Sequence, residues 1–143
     1  MQIIASLSLI PGPDAVGRAL AWLESVAKRH GWPQQSAFRL SLCMDEALSN
    51  IVMYGFRGKP EPGAISLAAL KGPGLLGVDI VDDGIAFDPT LSVSPELASS
   101  VEEARIGGHG LRLMRHYLQD IQYRRESDRN HLRLILAYAA EDR

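Results

Sequence analysis

The spacing of hydrophobic residues in the first third of the chain predicts a strand followed by two helices. Residues 2–10 alternate loosely between large aliphatic and smaller side chains, as a strand does, and PGPD at 11–14 ends this run. Residues 15–31 then carry apolar side chains at helical spacing, and residues 33–55 do so over a longer span. The first helix is expected to bury a stripe formed by Val16, Leu20, Leu23 and Ala27.

The rest of the chain predicts four strands and one more helix. Residues 64–71 and 75–82 have strand character and a tight connection containing Gly and Pro, which favours an antiparallel hairpin. Residues 109–118 predict a helix. Residues 121–127 and 131–138 predict two strands on either side of a DRN turn.

Between Gly84 and Gly108 the pattern dissolves into Pro, Ser, Thr and Gly around a weakly helical centre. A connection of this length is often an active-site lid, so we expect a flexible lid over about residues 85–106. The sequence contains no repeat or interdomain linker, and 143 residues suit one core. We therefore expect a single domain over residues 1–143.

The composition is that of an ordinary soluble protein, with 46% hydrophobic residues, 22% charged residues and a formal net charge of -2. This charge balance does not point to nucleic acid. Cys43 is the only cysteine, which excludes an intramolecular disulfide and fits a reducing cytoplasm. No apolar run reaches the ~18 residues that a membrane helix needs. We expect a cytoplasmic protein without a membrane segment.

One literal match to a nucleotide-binding pattern is better explained as a turn. Gly72, Gly74 and Gly77 fit the G-x-G-x-x-G dinucleotide fingerprint, but that fingerprint needs a following helix, and the next segment is a predicted strand. The P-loop pattern G-x-x-x-x-G-K-[ST] is absent. A bound nucleotide must therefore be held by other residues.

Glu46 and Asn50 are unusual because they lie in a largely apolar part of the second helix. Their i,i+4 spacing puts them on one helical face, which also carries Cys43 and Met53 rather than a row of solvated charges. A boundary between core and solvent is one interpretation. The chemical interpretation is that a carboxylate can take a proton from a hydroxyl, while an amide oxygen can bind magnesium without adding charge that repels phosphates.

Asp82 and Gly84 lie where the strand predicted at 75–82 ends. Acids and glycines commonly mark turns, but the two-residue period of a strand places Asp82 on the same face as Val78 and Ile80. A carboxylate at the edge of an apolar pocket is suited to accept a hydrogen bond from an exocyclic amine such as that of adenine.

The GGHG segment at 107–110 precedes the last predicted helix. Glycines at such a position let backbone N–H groups approach phosphate oxygens, and the helix dipole favours an anion. A flexible hinge is the alternative. The presence of Asp82 and of the pair Glu46 and Asn50 favours the phosphate interpretation.

The order of three motifs resembles the Bergerat-type ATP-binding fold. They are E-x-x-x-N on a helix, D-x-G after a strand, and a glycine cluster before a later helix. The segments most similar to a known group are DEALSNIVMYGF, DDGIAFDP and GGHGLRLMRHYLQDIQYRRESDRNHLRLIL. That group is the anti-sigma factor serine/threonine-protein kinase family, which has a histidine-kinase-like ATPase fold. The resemblance implies an α/β fold of the α+β two-layer sandwich type, with helices on one face of a mixed, mostly antiparallel sheet.

Carried over by position, the resemblance also implies a role for each candidate residue. Glu46 is the implied general base, Asn50 the implied Mg²⁺ ligand, and Asp82 with Gly84 is implied to hold adenine. The further implied ATP contacts are Ala86, Phe87, Gly107, Gly108, His109, Gly110 and Leu111. Ala86 stands where many members of the wider superfamily have a second glycine, and we expect binding to survive its methyl group.

The implied activity is transfer of phosphate from ATP, with Mg²⁺, to a serine of a small anti-anti-sigma protein of the STAS type. A homodimer is implied to bind a sigma factor. The alternative is a module of the same fold that holds ATP or ADP, or neither, and controls its partner by contact alone. A third hypothesis, contact with nucleic acid, is disfavoured by interspersed acids and rests on Arg124, Arg125, Arg129 and Arg133.

Overall fold

The computed structural model describes residues 1–59, 63–89 and 112–138. Within these ranges the elements follow the predicted order. They are β1 (Gln2–Leu9), α1 (Ala15–Arg29), α2 (Gln34–Tyr54), β2 (Ile65–Gly72), β3 (Leu75–Asp82), β4 (Asp120–Glu126) and β5 (Arg129–Ala137). Residues 112–117 are also helical, which agrees with the helix predicted there.

The five strands form one sheet in the order β1-β2-β3-β5-β4. All four pairings among these described strands are antiparallel. The predicted class, a two-layer α/β fold with a mostly antiparallel sheet, is confirmed, and the described strands contain no parallel pair of the kind that would make the sheet mixed.

Helices α1 and α2 pack against each other and against the sheet, and the core lies between the two layers. The buried stripe of α1 is rotated slightly from the predicted one, because Val16 and Leu20 are only partly buried. The buried residues of α1 are Ala15, Ala19, Leu23, Val26 and Ala27. Among the described residues, no helix has the length and apolar character needed to cross a membrane.

The turn between β2 and β3 confirms the interpretation of the glycine pattern. Gly72 pairs with Leu75 across the two strands, so Pro73 and Gly74 form the turn between them. Gly74 has φ +67, and a proline followed by a left-handed glycine is typical of a type II turn. Gly77 lies inside β3. These glycines therefore build a hairpin.

The turn between β4 and β5 corrects the prediction. Ser127 and Asp128 form it, with φ of 54 and 60, whereas DRN at 128–130 was predicted. Two successive left-handed residues give a two-residue hairpin turn whose twist suits antiparallel strands. Strand β5 therefore begins at Arg129, and Asn130 pairs with Asp82 of β3.

Two glycines, one inside α1 and one just after it, predict stability changes of opposite sign. A methyl group on Gly17 meets no atom within 4 Å, so Gly17→Ala should stabilise the helix by about 0.5–1 kcal/mol and raise the Tm by about 2–4 °C. Gly31 follows the helix with φ +65, and Gly31→Ala should destabilise the protein by about 1 kcal/mol. Thermal unfolding of both variants checks this, and shifts of equal sign would contradict it.

Candidate functional site

A row of polar residues crosses the inner face of the sheet at the end of β3. Asp82, Asn130 and Arg125 are neighbours in register across β3, β5 and β4. The adjacent row is mostly apolar and consists of Leu67, Ile80, Leu132 and Tyr123. Asp82 is 3% exposed and Asn130 is 5% exposed. Because buried polar groups cost free energy unless they are hydrogen-bonded, Asp82 and Asn130 need partners inside the protein.

The carboxylate of Asp82 is bound on one oxygen. Its Oδ1 accepts a hydrogen bond from the backbone N–H of Gly84 at 2.9 Å and another from Nδ2 of Asn130 at 3.0 Å. Oδ2 of Asp82 accepts none of the hydrogen bonds among residues 1–59, 63–89 and 112–138. A carboxylate oxygen can accept two hydrogen bonds, so Oδ1 is satisfied and Oδ2 keeps its capacity for a ligand.

Asn130 is a candidate site residue that the sequence prediction missed. Its Nδ2 also donates to the carbonyl of Ile85 at 2.8 Å, and its Oδ1 accepts from the Tyr123 hydroxyl at 2.6 Å and from the Phe87 N–H at 3.4 Å. A signal was present in the sequence, because Asn130 begins an alternating series whose other members are Leu132, Leu134 and Leu136. The misplaced turn hid that series.

The loop after β3 contacts the end of α2 closely. The N–H of Ile85 donates to the carbonyl of Gly55 at 2.7 Å, and Nη1 of Arg125 donates to the carbonyl of Gly84 at 2.8 Å. A Cβ on Gly84 would clash with the Gly55 carbonyl oxygen and lie 2.9 Å from Oδ1 of Asp82. Glycine at position 84 is therefore required by space.

A small cavity of about 20 Å³ lies between α2, the loop after β3 and the polar row. This volume suits about one water molecule. The lining combines a few polar groups with apolar side chains, as ligand sites do. The residues that line it are Ala47, Ile51, Gly55, Asp82, Ile85, Phe87, Pro89, Tyr123, Asn130 and Leu132.

Glu46 and Asn50 lie on α2 next to this cavity. Each immediately precedes a lining residue, Ala47 or Ile51, so the pair occupies the neighbouring stripe of the helix. Asn50 is 7% exposed, and Glu46 is half-buried. The predicted shared face is therefore present in the helix, although neither side chain lines the cavity.

The thiol of Cys43 lies in the buried part of α2, near Glu46. Burial raises the pKa of Cys43 to about 12, and the negative charge of Glu46 contributes to the increase. Cys43 is fully buried and therefore stays protonated at neutral pH. A thiol in that state is an inert part of the core.

The described structure brings together part of the predicted site. Asp82 and Phe87 line the cavity and Gly84 adjoins it, whereas Ala86 is exposed on the loop. Most of the predicted lid at 85–106 lies outside the described residues. The predicted ATP contacts outside them are Gly107, Gly108, His109, Gly110 and Leu111.

Three of the four arginines proposed for nucleic-acid contact bind groups of this protein. Arg125 binds the Gly84 carbonyl, and Arg124 pairs with Glu126 at 3.1 Å. Arg133 forms two hydrogen bonds to Asp79, at 2.6 and 2.8 Å. The pKa of Arg133 is raised chiefly by its hydrogen bond to Asp79. The contacts of Arg125 and Arg133 give these two arginines structural roles, whereas the pair of Arg124 and Glu126 is exposed.

Comparison with known proteins places the chain among kinases. Residues 11–136 match the model of the histidine kinase-like ATPase domain family. The serine/threonine-protein kinase BtrW of Bordetella bronchiseptica is 45% identical over 123 residues, which cover 86% of either chain. The serine-protein kinase RsbW of Listeria monocytogenes is 29% identical over 121 residues, covering 82% of this chain and 76% of that protein.

A solved structure supports the fold. The histidine kinase domain of the blue-light activated histidine kinase from Erythrobacter litoralis EL346 aligns with a TM-score of 0.54 and 18% sequence identity. The alignment covers 99% of this chain and 68% of that one. At this identity the similarity concerns the fold alone.

The contact between Gly84 and Gly55 predicts that Gly84→Ala opens the site. The added methyl group must push the loop away from α2 or displace the Asp82 carboxylate, and overpacking of this kind costs about 1–3 kcal/mol. Urea unfolding should show that loss, whereas Gly17→Ala, at an open position, should show none. A Gly84→Ala protein as stable as the parent would contradict the close packing.

Proposed function

The chain belongs to the histidine kinase-like ATPase domain family, and from this premise we propose that it binds ATP and transfers the γ-phosphoryl group to a serine of a protein partner. The relatives named serine/threonine-protein kinase and serine-protein kinase support the reaction type. The observation that carries the nucleotide site is the buried Asp82 carboxylate, whose Oδ1 is bound by Gly84 and Asn130.

Asp82 recognises adenine through Oδ2. The adenine amino group donates a hydrogen bond to this oxygen, while Gly84 allows the loop to stay close to α2 and Phe87 supplies apolar surface. A cavity of about 20 Å³ is far smaller than a purine. Ile85, Phe87 and Pro89 form its wall on the loop side, so adenine binding requires the side chains of these residues to move outward while the backbone contacts of the loop persist.

Asn50 provides an oxygen ligand for Mg²⁺. Within the described residues there is no group of three His, Cys, Asp or Glu side chains that could hold a metal ion. The single amide oxygen of Asn50 fits magnesium carried by a nucleotide, since Mg²⁺ is commonly bound by one or two protein oxygens together with phosphates and water. When bound, the ion neutralises charge on the phosphates.

Glu46 acts as the general base on the acceptor serine. Its carboxylate takes the hydroxyl proton while the serine oxygen forms a bond to the γ-phosphorus, and the bond from that phosphorus to the β–γ bridging oxygen breaks. Phosphoserine and ADP are the products. Positioning carries most of the rate effect in such transfers, so the rigid helix α2 is a suitable support for Glu46.

The remaining nucleotide contacts are proposed from the family resemblance. Ala86 and Phe87 flank the adenine end, and Phe87 also donates its N–H to Asn130. The backbone N–H groups of residues 107–111 bind the phosphates, because glycines allow close approach to an anion. The segment at about 85–106 is proposed as the lid over the bound nucleotide.

We propose a role in partner switching for the whole protein. The acceptor serine belongs to an anti-anti-sigma protein of the STAS type, and a homodimer of this chain binds a sigma factor in the cytoplasm. The similarity to serine kinases over most of the chain supports this assignment. Release or retention of the sigma factor then depends on whether the anti-anti-sigma protein is phosphorylated.

The small size of the cavity favours one alternative function. A module of the same fold that controls its partner by contact alone, without phosphoryl transfer, needs no room for a purine. Measurements of nucleotide binding and of phosphoryl transfer distinguish the two functions.

Asp82→Asn should abolish stabilisation by ATP. Mg-ATP at 100 times its Kd should stabilise the parent protein by about 2.7 kcal/mol, which thermal unfolding detects as a shift of several degrees. The asparagine can present an N–H₂ donor to the adenine amine, and two donors cannot hydrogen-bond. Asp120→Asn, on an exposed residue of β4, is the matched control. An absent shift in the parent at millimolar Mg-ATP would favour the contact-only module.

Glu46→Gln should remove phosphoryl transfer while ATP binding persists. Loss of a general base typically lowers the rate by about 10²–10⁴-fold, because glutamine cannot accept the serine proton. Transfer of ³²P from γ-labelled ATP to the STAS-type partner measures this rate, and the same thermal shift measures binding. Glu24→Gln, on an exposed residue of α1 paired with Lys28, should transfer normally. Unchanged transfer by Glu46→Gln would rule out its role as the base.

A further inference from the structure

We propose, on the premise that ATP binds at Asp82, that Tyr123 and Asn130 act as positioning residues that aim Oδ2 of Asp82 at the amino group of the nucleobase. They thereby set the preference of the site for a purine that carries this amino group. The Tyr123 hydroxyl does not bind the Asp82 carboxylate itself; it donates a hydrogen bond to Oδ1 of Asn130 at 2.6 Å. The effect therefore passes through Asn130.

The hydroxyl of Tyr123 fixes the orientation of the Asn130 amide. Two donors, the Tyr123 hydroxyl and the Phe87 N–H, point at Oδ1 of Asn130, and two acceptors, Oδ1 of Asp82 and the Ile85 carbonyl, face its Nδ2. A flipped amide would place oxygen against two acceptors. Only one orientation therefore satisfies the network, which is how an amide is properly assigned.

Tyr123 keeps its proton under ordinary conditions. Burial raises the pKa of the Tyr123 hydroxyl above its usual value, and Asp88 and Asp82 add to the increase, although Arg125 and the backbone N–H of Phe87 oppose it. The hydroxyl is thus a dependable donor near neutral pH, and the orientation of Asn130 follows from it.

The amide of Asn130 in turn fixes the carboxylate of Asp82. Its Nδ2 and the Gly84 N–H together occupy Oδ1, so rotation of the carboxylate would break two buried hydrogen bonds. Oδ2 is held in place as an acceptor for a ligand donor. A site that hydrogen-bonds one substrate group rejects an analogue without it, because its own buried group is then left unpaired.

The ring of Tyr123 has a separate, structural role. It packs against the hydrophobic core, and Tyr123 lies opposite Leu132 in the sheet. Tyr123→Phe keeps this packing and removes only the hydroxyl. This variant can therefore separate the positioning role from core packing.

Binding of ATP and of purine riboside triphosphate, which lacks the amino group at position 6, tests this role. Competition against a fluorescent ATP analogue gives both dissociation constants, and their ratio measures recognition of the amino group. The parent should prefer ATP by roughly tenfold or more, the value expected for a hydrogen bond to a charged group. Tyr123→Phe should lower this ratio by about fivefold, as expected for one lost neutral hydrogen bond.

Two further variants complete the test. Tyr138→Phe removes the hydroxyl of a partly buried tyrosine just after the other end of β5, and it should keep the parental ratio. Asn130→Asp has nearly the same shape but replaces the donor Nδ2 with an oxygen, and its ratio should fall close to one. The melting temperature of each variant verifies that it is folded.

The outcomes distinguish the positioning role from ATP binding itself. A parent that binds neither nucleotide would overturn the proposed function and the role that depends on it. A parent that binds both nucleotides equally would leave ATP binding intact and overturn the role of Tyr123 and Asn130. That role is also overturned if Tyr123→Phe keeps the parental ratio, or if it weakens both nucleotides equally, since that result indicates a structural effect only.

Discussion

The hydrogen bond from Nδ2 of Asn130 to Oδ1 of Asp82 is the interaction on which the site depends. Both side chains are buried, and either of them alone would leave an unpaired polar group at a cost of about 1–3 kcal/mol or more. The pair also shapes the loop after β3, because Asp82 binds the Gly84 N–H while Asn130 binds Ile85 and Phe87. Two residues of one cross-strand row thus define the floor of the pocket and the path of the chain above it.

This loop also fixes the sheet relative to α2. The helix that carries Glu46 and Asn50 ends before Gly55, whose carbonyl accepts the Ile85 N–H. The absence of a side chain at Gly84 lets the two segments meet at this distance. The proposed base, the proposed magnesium ligand and the proposed adenine acceptor therefore lie on elements that are joined by direct backbone contact.

Hydrophobic alternation and short motifs in the sequence predicted the position of Asp82 and the family of the chain. Period-two alternation placed Asp82 on the inner face with Val78 and Ile80, and all three are buried as predicted. The order of the motifs indicated kinases with a histidine-kinase-like ATPase fold, and the family match and the relatives confirm this resemblance. The alternation and each single motif are contained in a few neighbouring residues.

Asn130 was missed although it begins an alternating series, because the turn before it was misplaced and because its partner Asp82 lies on a distant strand. The turn before it has left-handed Ser127 and Asp128 in place of the glycine that usually marks such a turn. When the turn is assumed to be at 128–130, Asn130 is assigned to the turn and not to β5. Its pairing with Asp82 is then not predicted. The rotation of the buried stripe in α1 is a smaller error of the same kind, since packing against the sheet decides which flank of a helix is buried.

Strand β3 and the residue after it show why one acid out of three is suited to a ligand. Asp79 faces outward, and both of its carboxylate oxygens are bound by Arg133, so it joins two strands and has a structural role. Asp83 binds the Ala64 N–H at 2.8 Å and anchors the loop before β2. Asp82 alone combines burial with one satisfied oxygen and one that takes part in none of the hydrogen bonds among the described residues. Recognition of a nucleobase requires this combination, because the satisfied oxygen orients the carboxylate while burial makes a mismatch at the other oxygen costly.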